Sequence, residues 1–254
     1  MAEREPIIQV RNFTAAYGGN VVIDDISFDV YPGERFVILG GSGCGKSTLL
    51  KHMIGLYEPA AGEILIEGDD IVTAYGKKRI EILRRIGVMY QLGALFGSMN
   101  LLENVRLPLE EFTDLPMEAM NLVALMKLDL VGLKDFANHM PAEISGGMQK
   151  RAAIARAMAL DPRILFLDEP SAGLDPVTSA ELDSLITSLA KNLGMTFVIV
   201  THELPSIYAI ADRCIMLDKR VKKIVADGRP ADLRDDSTDE WVRQFFNRES
   251  EATA

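Results

Sequence analysis

Polar and apolar positions alternate early in the chain. Residues 7–13 and 21–30 carry apolar side chains on every second position, with Ile26, Phe28 and Val30 separated by Ser27 and Asp29, the period of half-buried strands. Gly18-Gly19-Asn20 between them suits a tight hairpin. Residues 34–39 form a short run that is apolar from Phe36 to Leu39, predicted as a strand buried on both faces. A glycine-rich loop follows, then helical character over 47–56, with short strands predicted at 63–66 and 71–72. From about 92 to 160 the chain turns to Met, Leu, Ala and Glu, a helix-forming composition, including a strong helix over 150–160. Buried-strand runs return at 164–167 and 197–200, flanking a helix over 179–192. Strands alternating with helices predict an α/β fold around a mainly parallel sheet. The β-rich start reads as an N-terminal antiparallel β-subdomain and the helical middle, 92–160, as an inserted subdomain. Beyond residue 229 the chain is polar and acidic, but Trp241, Val242, Phe245 and Phe246 share one helical face.

Composition narrows the class. Of 254 residues 48% are hydrophobic and 25% charged, with a net charge of −10, which excludes a disordered chain. No apolar run approaches the roughly 18–20 residues of a membrane span. The acidic balance argues against a nucleic-acid partner. Two cysteines, Cys44 and Cys214, are too few for a disulfide framework. A charged first segment, 1–6, lacks a secretory h-region, so a cytoplasmic location is expected.

The loop Gly40-Gly41-Ser42-Gly43-Cys44-Gly45-Lys46-Ser47 fits the phosphate-binding pattern G-x-x-x-x-G-K-[ST] between a strand and a helix. Glycines let successive N–H groups point at phosphate oxygens, and the following helix aims its positive dipole end at the same anion. Lys46 is expected to reach the β- and γ-phosphates, Ser47 to offer its hydroxyl to Mg²⁺, and Thr48 to add a phosphate contact. Cys44 reads as a small filler.

The strand 164–167 ends in Asp168 and Glu169, at the edge where parallel sheets bind ligands. Asp168 is the candidate to orient Mg²⁺, and Glu169 to polarise an attacking water. His202 follows the strand 197–201 and could hydrogen-bond a γ-phosphate or hold that water. His52 and His139 read as structural.

Three further segments, Ser145-Gly146-Gly147-Met148-Gln149, Ser171-Ala172-Gly173-Leu174-Asp175 and Gln91, complete an order of motifs that resembles the ATP-binding cassette (ABC) ATPases over residues 7–227. The resemblance implies a P-loop NTPase (RecA-like) core at 1–228 and a C-terminal extension at 229–254. It implies ATP and Mg²⁺ as ligands, Tyr17 stacking on adenine, and Gln91 as a γ-phosphate sensor that also touches Mg²⁺. Ser145, Gly146 and Gly147 correspond to the signature segment that binds nucleotide held by the other subunit. Asp175 corresponds to the residue crossing the dimer interface. With one cassette in the chain, the second is expected to come from another copy or a relative. Ile144, Met148 and Ser171 depart from the commonest Leu, Gln and Thr; only a role for the amide side chain at 148 is put in doubt.

Residues 89–98, Met-Tyr-Gln-Leu-Gly-Ala-Leu-Phe-Gly-Ser, together with Glu103-Asn104-Val105, Gln149-Lys150-Arg151 and the 241–246 tail, are similar to the cassettes of Mla/Mce-type lipid transporters. That branch implies a membrane permease docked at 92–96, a single-pass Mce-domain protein, a small STAS-domain subunit in many cases, and phospholipid as cargo. It places the chain peripherally on the cytoplasmic side of a bacterial inner membrane. Transport of another solute, or a soluble non-transport ATPase, are the alternatives. The basic run Lys77, Lys78, Arg79, Arg84 and Arg85 reads as a solvated helix face, with anionic headgroups as the alternative. The aromatic tail face is expected to cover a neighbouring cassette or accessory subunit.

Overall fold

The computed structural model describes residues 5–247. Its elements in chain order are β1 (Ile8–Tyr17), β2 (Asn20–Val30), β3 (Arg35–Gly40), α1 (Lys46–Met53), β4 (Ala61–Ile66), β5 (Asp69–Asp70), α2 (Gly76–Leu83), β6 (Ile86–Met89), α3 (Leu101–Phe112), α4 (Met117–Leu130), α5 (Gly146–Ala157), β7 (Ile164–Asp168), α6 (Pro176–Leu193), β8 (Thr196–Val200), α7 (Leu204–Ile210), β9 (Arg213–Asp218), β10 (Lys223–Gly228), α8 (Pro230–Asp236) and α9 (Glu240–Asn247).

Two sheets organise the chain. One is antiparallel, in the order β2-β1-β4-β5; the other, β10-β9-β3-β8-β7-β6, is parallel except for β10. The β1–β2 hairpin closes on Gly18 and Gly19, both with positive φ, opposite the Tyr17–Asn20 pair, the two-residue turn that strand twist favours.

Strand periodicity assigns the central sheet's faces. Val37 and Leu39, Leu165 and Leu167, and Phe197 and Ile199 point into a core shared with α3 to α7 and α9. Phe36 and Ile38, Ile164 and Phe166, and Val198 and Val200 point the other way, against α1 and the antiparallel sheet. Five consecutive buried positions in β7 and in β8 follow from this double coverage. Helices α3 to α5 pack on one another and on the first face.

Several boundaries shift. Residues 71–72 form a turn, because Asp70 Oδ1 accepts from the Val72 N–H at 2.9 Å and ends the pairing of β5. Helix α5 begins four residues before the predicted 150, at two glycines, where the Ser145 hydroxyl caps it by accepting from Met148 N–H at 3.2 Å. Four of the five residues of the basic run have internal partners: Lys78 and Arg85 at Asp69, each at 2.7 Å, Arg79 at the Gly55 and Ile71 carbonyls, and Arg84 at the Phe112 carbonyl. The tail departs most. Val242 and Phe246 are buried in the chain's own core, and Trp241 and Phe245 pack on its margin. The aromatic face expected to cover a neighbour is therefore largely covered in cis.

Candidate nucleotide site

Four of the predicted segments leave the C-terminal edge of the parallel sheet. The phosphate loop follows β3, Gln91 follows β6, Asp168 and Glu169 end β7, and His202 follows β8. That edge is where open α/β sheets present ligand groups.

The loop is wedged against β9. Gly40 has φ +144°, and a Cβ there would lie 2.3 Å from the Leu217 carbonyl oxygen, so only glycine fits. Gly45 stands at the start of α1 in the left-handed region, and no side chain caps the helix; its first N–H groups are free to face an anion. Lys46 Nζ donates to the carbonyls of Gly40 and Gly41 at 2.9 and 3.2 Å, folded over the cradle it is expected to serve. Cys44 is buried beneath, its thiol pushed up by burial, as a filler should be. Ser42, Gly43, Ser47 and Thr48 remain at least partly open.

Ser47 donates from Oγ to Asp168 Oδ1 at 3.4 Å. Asp168 and Glu169 are both nine-tenths buried. Burial, then the neighbouring Glu169 charge, hold the Asp168 carboxyl above its ordinary value, and Glu169 Oε2 is buried without a hydrogen-bond partner. Two adjacent carboxylates, one with an orphaned oxygen, beside a hydroxyl are a donor set that fits a hard divalent cation. Among the described residues there is no group of three or more His, Cys, Asp or Glu side chains that could hold a metal ion.

His202 Nδ1 lies 2.8 Å from Glu169 Oε1. The position predicted for a phosphate contact is thus a direct partner of the candidate base. Glu169 itself has φ +47°, a strained conformation that directs its side chain across the sheet edge; its N–H donates to the Val200 carbonyl at 2.8 Å.

Tyr17 is exposed at the end of β1, edge-on to Tyr57 at 6.0 Å, over the buried His52. His52 Nδ1 donates to the Thr48 carbonyl at 2.8 Å, a structural role. His139 packs on Phe136.

Ser145 and Gly146 stand elsewhere, exposed at the start of α5. Gln91, Gly146, Lys150 and residues 172–174 line a depression of about 370 Å³. Asp175 caps α6, accepting from the Val177 and Thr178 N–H groups at 3.0 and 3.1 Å. Gly147 is pinned: a Cβ would sit 2.4 Å from Thr178 Cγ2.

Three residues went unassigned by sequence. Lys150 Nζ donates to the Gln91 carbonyl, and Arg156 to those of Gly93 and Ala94 at 2.8 and 2.7 Å. Burial pulls both cations below their ordinary values, while Asp168 and Glu169 pull Lys150 back up. Asn104, fully buried, accepts from Phe96 N–H and donates to the Phe96, Met99 and Asn100 carbonyls. Helix α5 thereby grips the backbone that carries Gln91, and Asn104 moulds the loop beyond it. A lysine and an arginine at six-residue spacing on a polar helix give no hint of such distant partners.

Comparison with known proteins agrees with this geometry. The ABC transporter family profile matches residues 23–172, and the chain belongs to that family: it is an ATP-hydrolysing cassette of an ABC transporter. It is 40% identical over 241 residues to the Escherichia coli K12 "Intermembrane phospholipid transport system ATP-binding protein MlaF", covering 95% of this chain and 88% of that one. It is 42% identical over 240 residues to the Mycobacterium leprae "Probable ribonucleotide transport ATP-binding protein mkl", covering 94% and 68%. Among solved structures, a dimeric ATP-binding cassette bound to ADP and Pi in a post-hydrolysis state superposes with a TM-score of 0.78 at 31% identity, covering 87% of this chain and 98% of that one. The cbiO1 cassette of Clostridium perfringens gives 0.83 at 27%, covering 92% of each.

Proposed function

We propose that two copies of this chain sandwich two ATP molecules and drive a phospholipid permease. The carrying observation is that Lys46, Ser47, Asp168, Glu169 and His202 converge at one sheet edge, whereas Ser145 and Gly146 stand exposed at the start of α5, where Gly146 lines a depression. Neither group alone surrounds a nucleotide; a head-to-tail pair brings each to the other, and the dimeric cassette with ADP and Pi supports that arrangement.

In this reading the loop 40–48 binds the phosphates, with Lys46 swinging from its carbonyl partners onto the β- and γ-phosphates. Tyr17 stacks on the adenine. Ser47, Asp168 and Gln91 would hold Mg²⁺, which supplies charge neutralisation to the phosphates. Glu169 accepts the proton of the attacking water, and His202 holds the Glu169 carboxylate and the γ-phosphate in line. Ser145, Gly146 and Gly147 offer a helix N-terminus to the partner's γ-phosphate, and Asp175 lies along the dimer seam.

Leu92 and Phe96 stand 89% and 51% exposed on the segment that α5 and Asn104 hold. An apolar ridge tied to Gln91 suits a coupling helix from a permease. Among the described residues no helix is long and apolar enough to cross a membrane, so the transport path would come from a separate permease, with an Mce-domain protein and a STAS-domain subunit as further members. This places the chain against the cytoplasmic face of the inner membrane. Phospholipid is the cargo the MlaF relatives support; the mkl relative keeps ribonucleotide as the competing outcome. Purification from membranes tests the proposal. A permease of five or six spans should come with the chain, and mass spectrometry of the complex should find phospholipid. A purely soluble partner set, or a ribonucleotide cargo, would refute it.

A further inference from the structure

The chain has a single tryptophan, and its position is unexpected: Trp241 of α9, near the C-terminus, reaches the phosphate loop. A Cβ built on Gly41 would lie 3.6 Å from Trp241 Cζ2, so the far edge of the indole lies beside that glycine with room for about one methyl group between them. The ring is held from the other side. Arg220 stacks its guanidinium over the indole at 5.2 Å, and donates from Nε and Nη2 to Asp218 Oδ2 at 2.8 and 2.5 Å. Asp218 is buried at the end of β9, next to Leu217, whose carbonyl already abuts Gly40. Helix α9 is firmly seated: Asp239 Oδ1 accepts from the Trp241 and Val242 N–H groups at 2.9 and 3.2 Å, and Val242 and Phe246 are buried.

We propose that Trp241 is a positioning residue for nucleotide binding, its indole edge standing behind Gly41 and limiting how far the phosphate loop can depart from its anion-binding shape. The glycine-rich segment 40–45 has few side chains to pack it. Its first residue is wedged by Leu217; its second has Trp241. A loop preformed in its bound shape loses less entropy on capturing phosphate, so this limit acts on affinity for ATP. This inference rests on loop 40–48 being the phosphate site.

The test uses the full chain, whose fluorescence comes from Trp241 alone among tryptophans. ATP binding, followed independently by equilibrium dialysis, should change the intensity or wavelength of that emission with the same concentration dependence. Trp241→Phe keeps an aromatic face for Arg220 but removes the ring carbons that lie beside Gly41. It should raise the ATP dissociation constant and KM by about three- to tenfold with kcat little changed. Trp241→Ala should do at least as much. Val242→Ala, on the same helix but facing the core, should lower the melting temperature while leaving KM as it is. Emission blind to bound ATP would overturn the proposal. So would a Trp241→Phe chain that binds ATP normally, or Trp241 and Val242 variants that differ only in melting temperature. Lys46→Ala separates this from the site assignment: if it abolishes binding in dialysis the loop is the phosphate site, and any of those outcomes then counts against Trp241 alone.

Discussion

The phosphate loop and the start of α5 are both glycine-rich helix beginnings, yet they are built for different situations. Around the loop the chain supplies a cation, a hydroxyl and two carboxylates from the ends of two strands of one sheet, and Lys46 already finds partners in cis. At α5 the chain supplies a capping serine, two glycines and bare N–H groups, beside a shallow depression. The first region carries chemistry; the second carries only an anion-binding end. In the proposed arrangement completeness belongs to a pair of chains and α5 is a shared part: its N-terminus would face the partner's nucleotide while Lys150 and Arg156 hold the chain's own Gln91 segment.

The comparison can be broken from either side. Lys46→Ala should have the largest effect, abolishing ATP binding in dialysis and reducing turnover by about 100-fold or more. Ser145→Arg should keep binding and lose turnover by a similar factor, because the bulky cation blocks the face offered to a partner and not the loop; loss of binding in that variant would mean the two regions are one site. Next comes His202→Ala. Removing the group 2.8 Å from Glu169 should lower kcat by about 10²-fold with ATP affinity retained, as steady-state kinetics would show. Gly147→Ala should cost about 1–3 kcal/mol through its clash with Thr178, and Thr178→Ala should recover much of that in a double-mutant thermal melt.

The smallest effect concerns pH. Because burial and Glu169 raise the Asp168 carboxyl above its ordinary 3.8, the nucleotide-free fold holds that proton more tightly than the unfolded chain. The associated stability is fully present below 3.8 and is lost as pH rises through the raised value. Asp168→Asn should therefore melt higher than the parent at neutral pH without ligand, by roughly 2–4 °C per kcal/mol relieved, and the gain should vanish in acid. Added Mg²⁺ and ATP should reverse the order, since only the carboxylate would bind the cation.

Much of this was legible in sequence where chemistry is local. The loop 40–47 reads directly because glycine pattern, Lys46 and Ser47 act within one turn of chain, and the strands at 164–167 and 197–200 read because both faces are buried. What stayed hidden depends on distant partners. The Glu169–His202 contact spans 33 positions and Lys150–Gln91 spans 59; only the sheet order brings them together. The start of α5 was hidden because two glycines disfavour helix and the cap alone overrides them. Helix α9 was misjudged because an amphipathic face states that it needs cover without stating whose.

The central claim is that each nucleotide is enclosed by the loop of one chain and the α5 start of another. Glu169→Gln, which should bind ATP without hydrolysing it, tests this in light scattering. The variant should run at the 28.0 kDa of one chain without nucleotide and at twice that mass with ATP, and adding Ser145→Arg should return it to one chain while ATP stays bound. A Glu169→Gln chain that binds ATP yet remains single, or that pairs regardless of ATP and Ser145, would contradict the account.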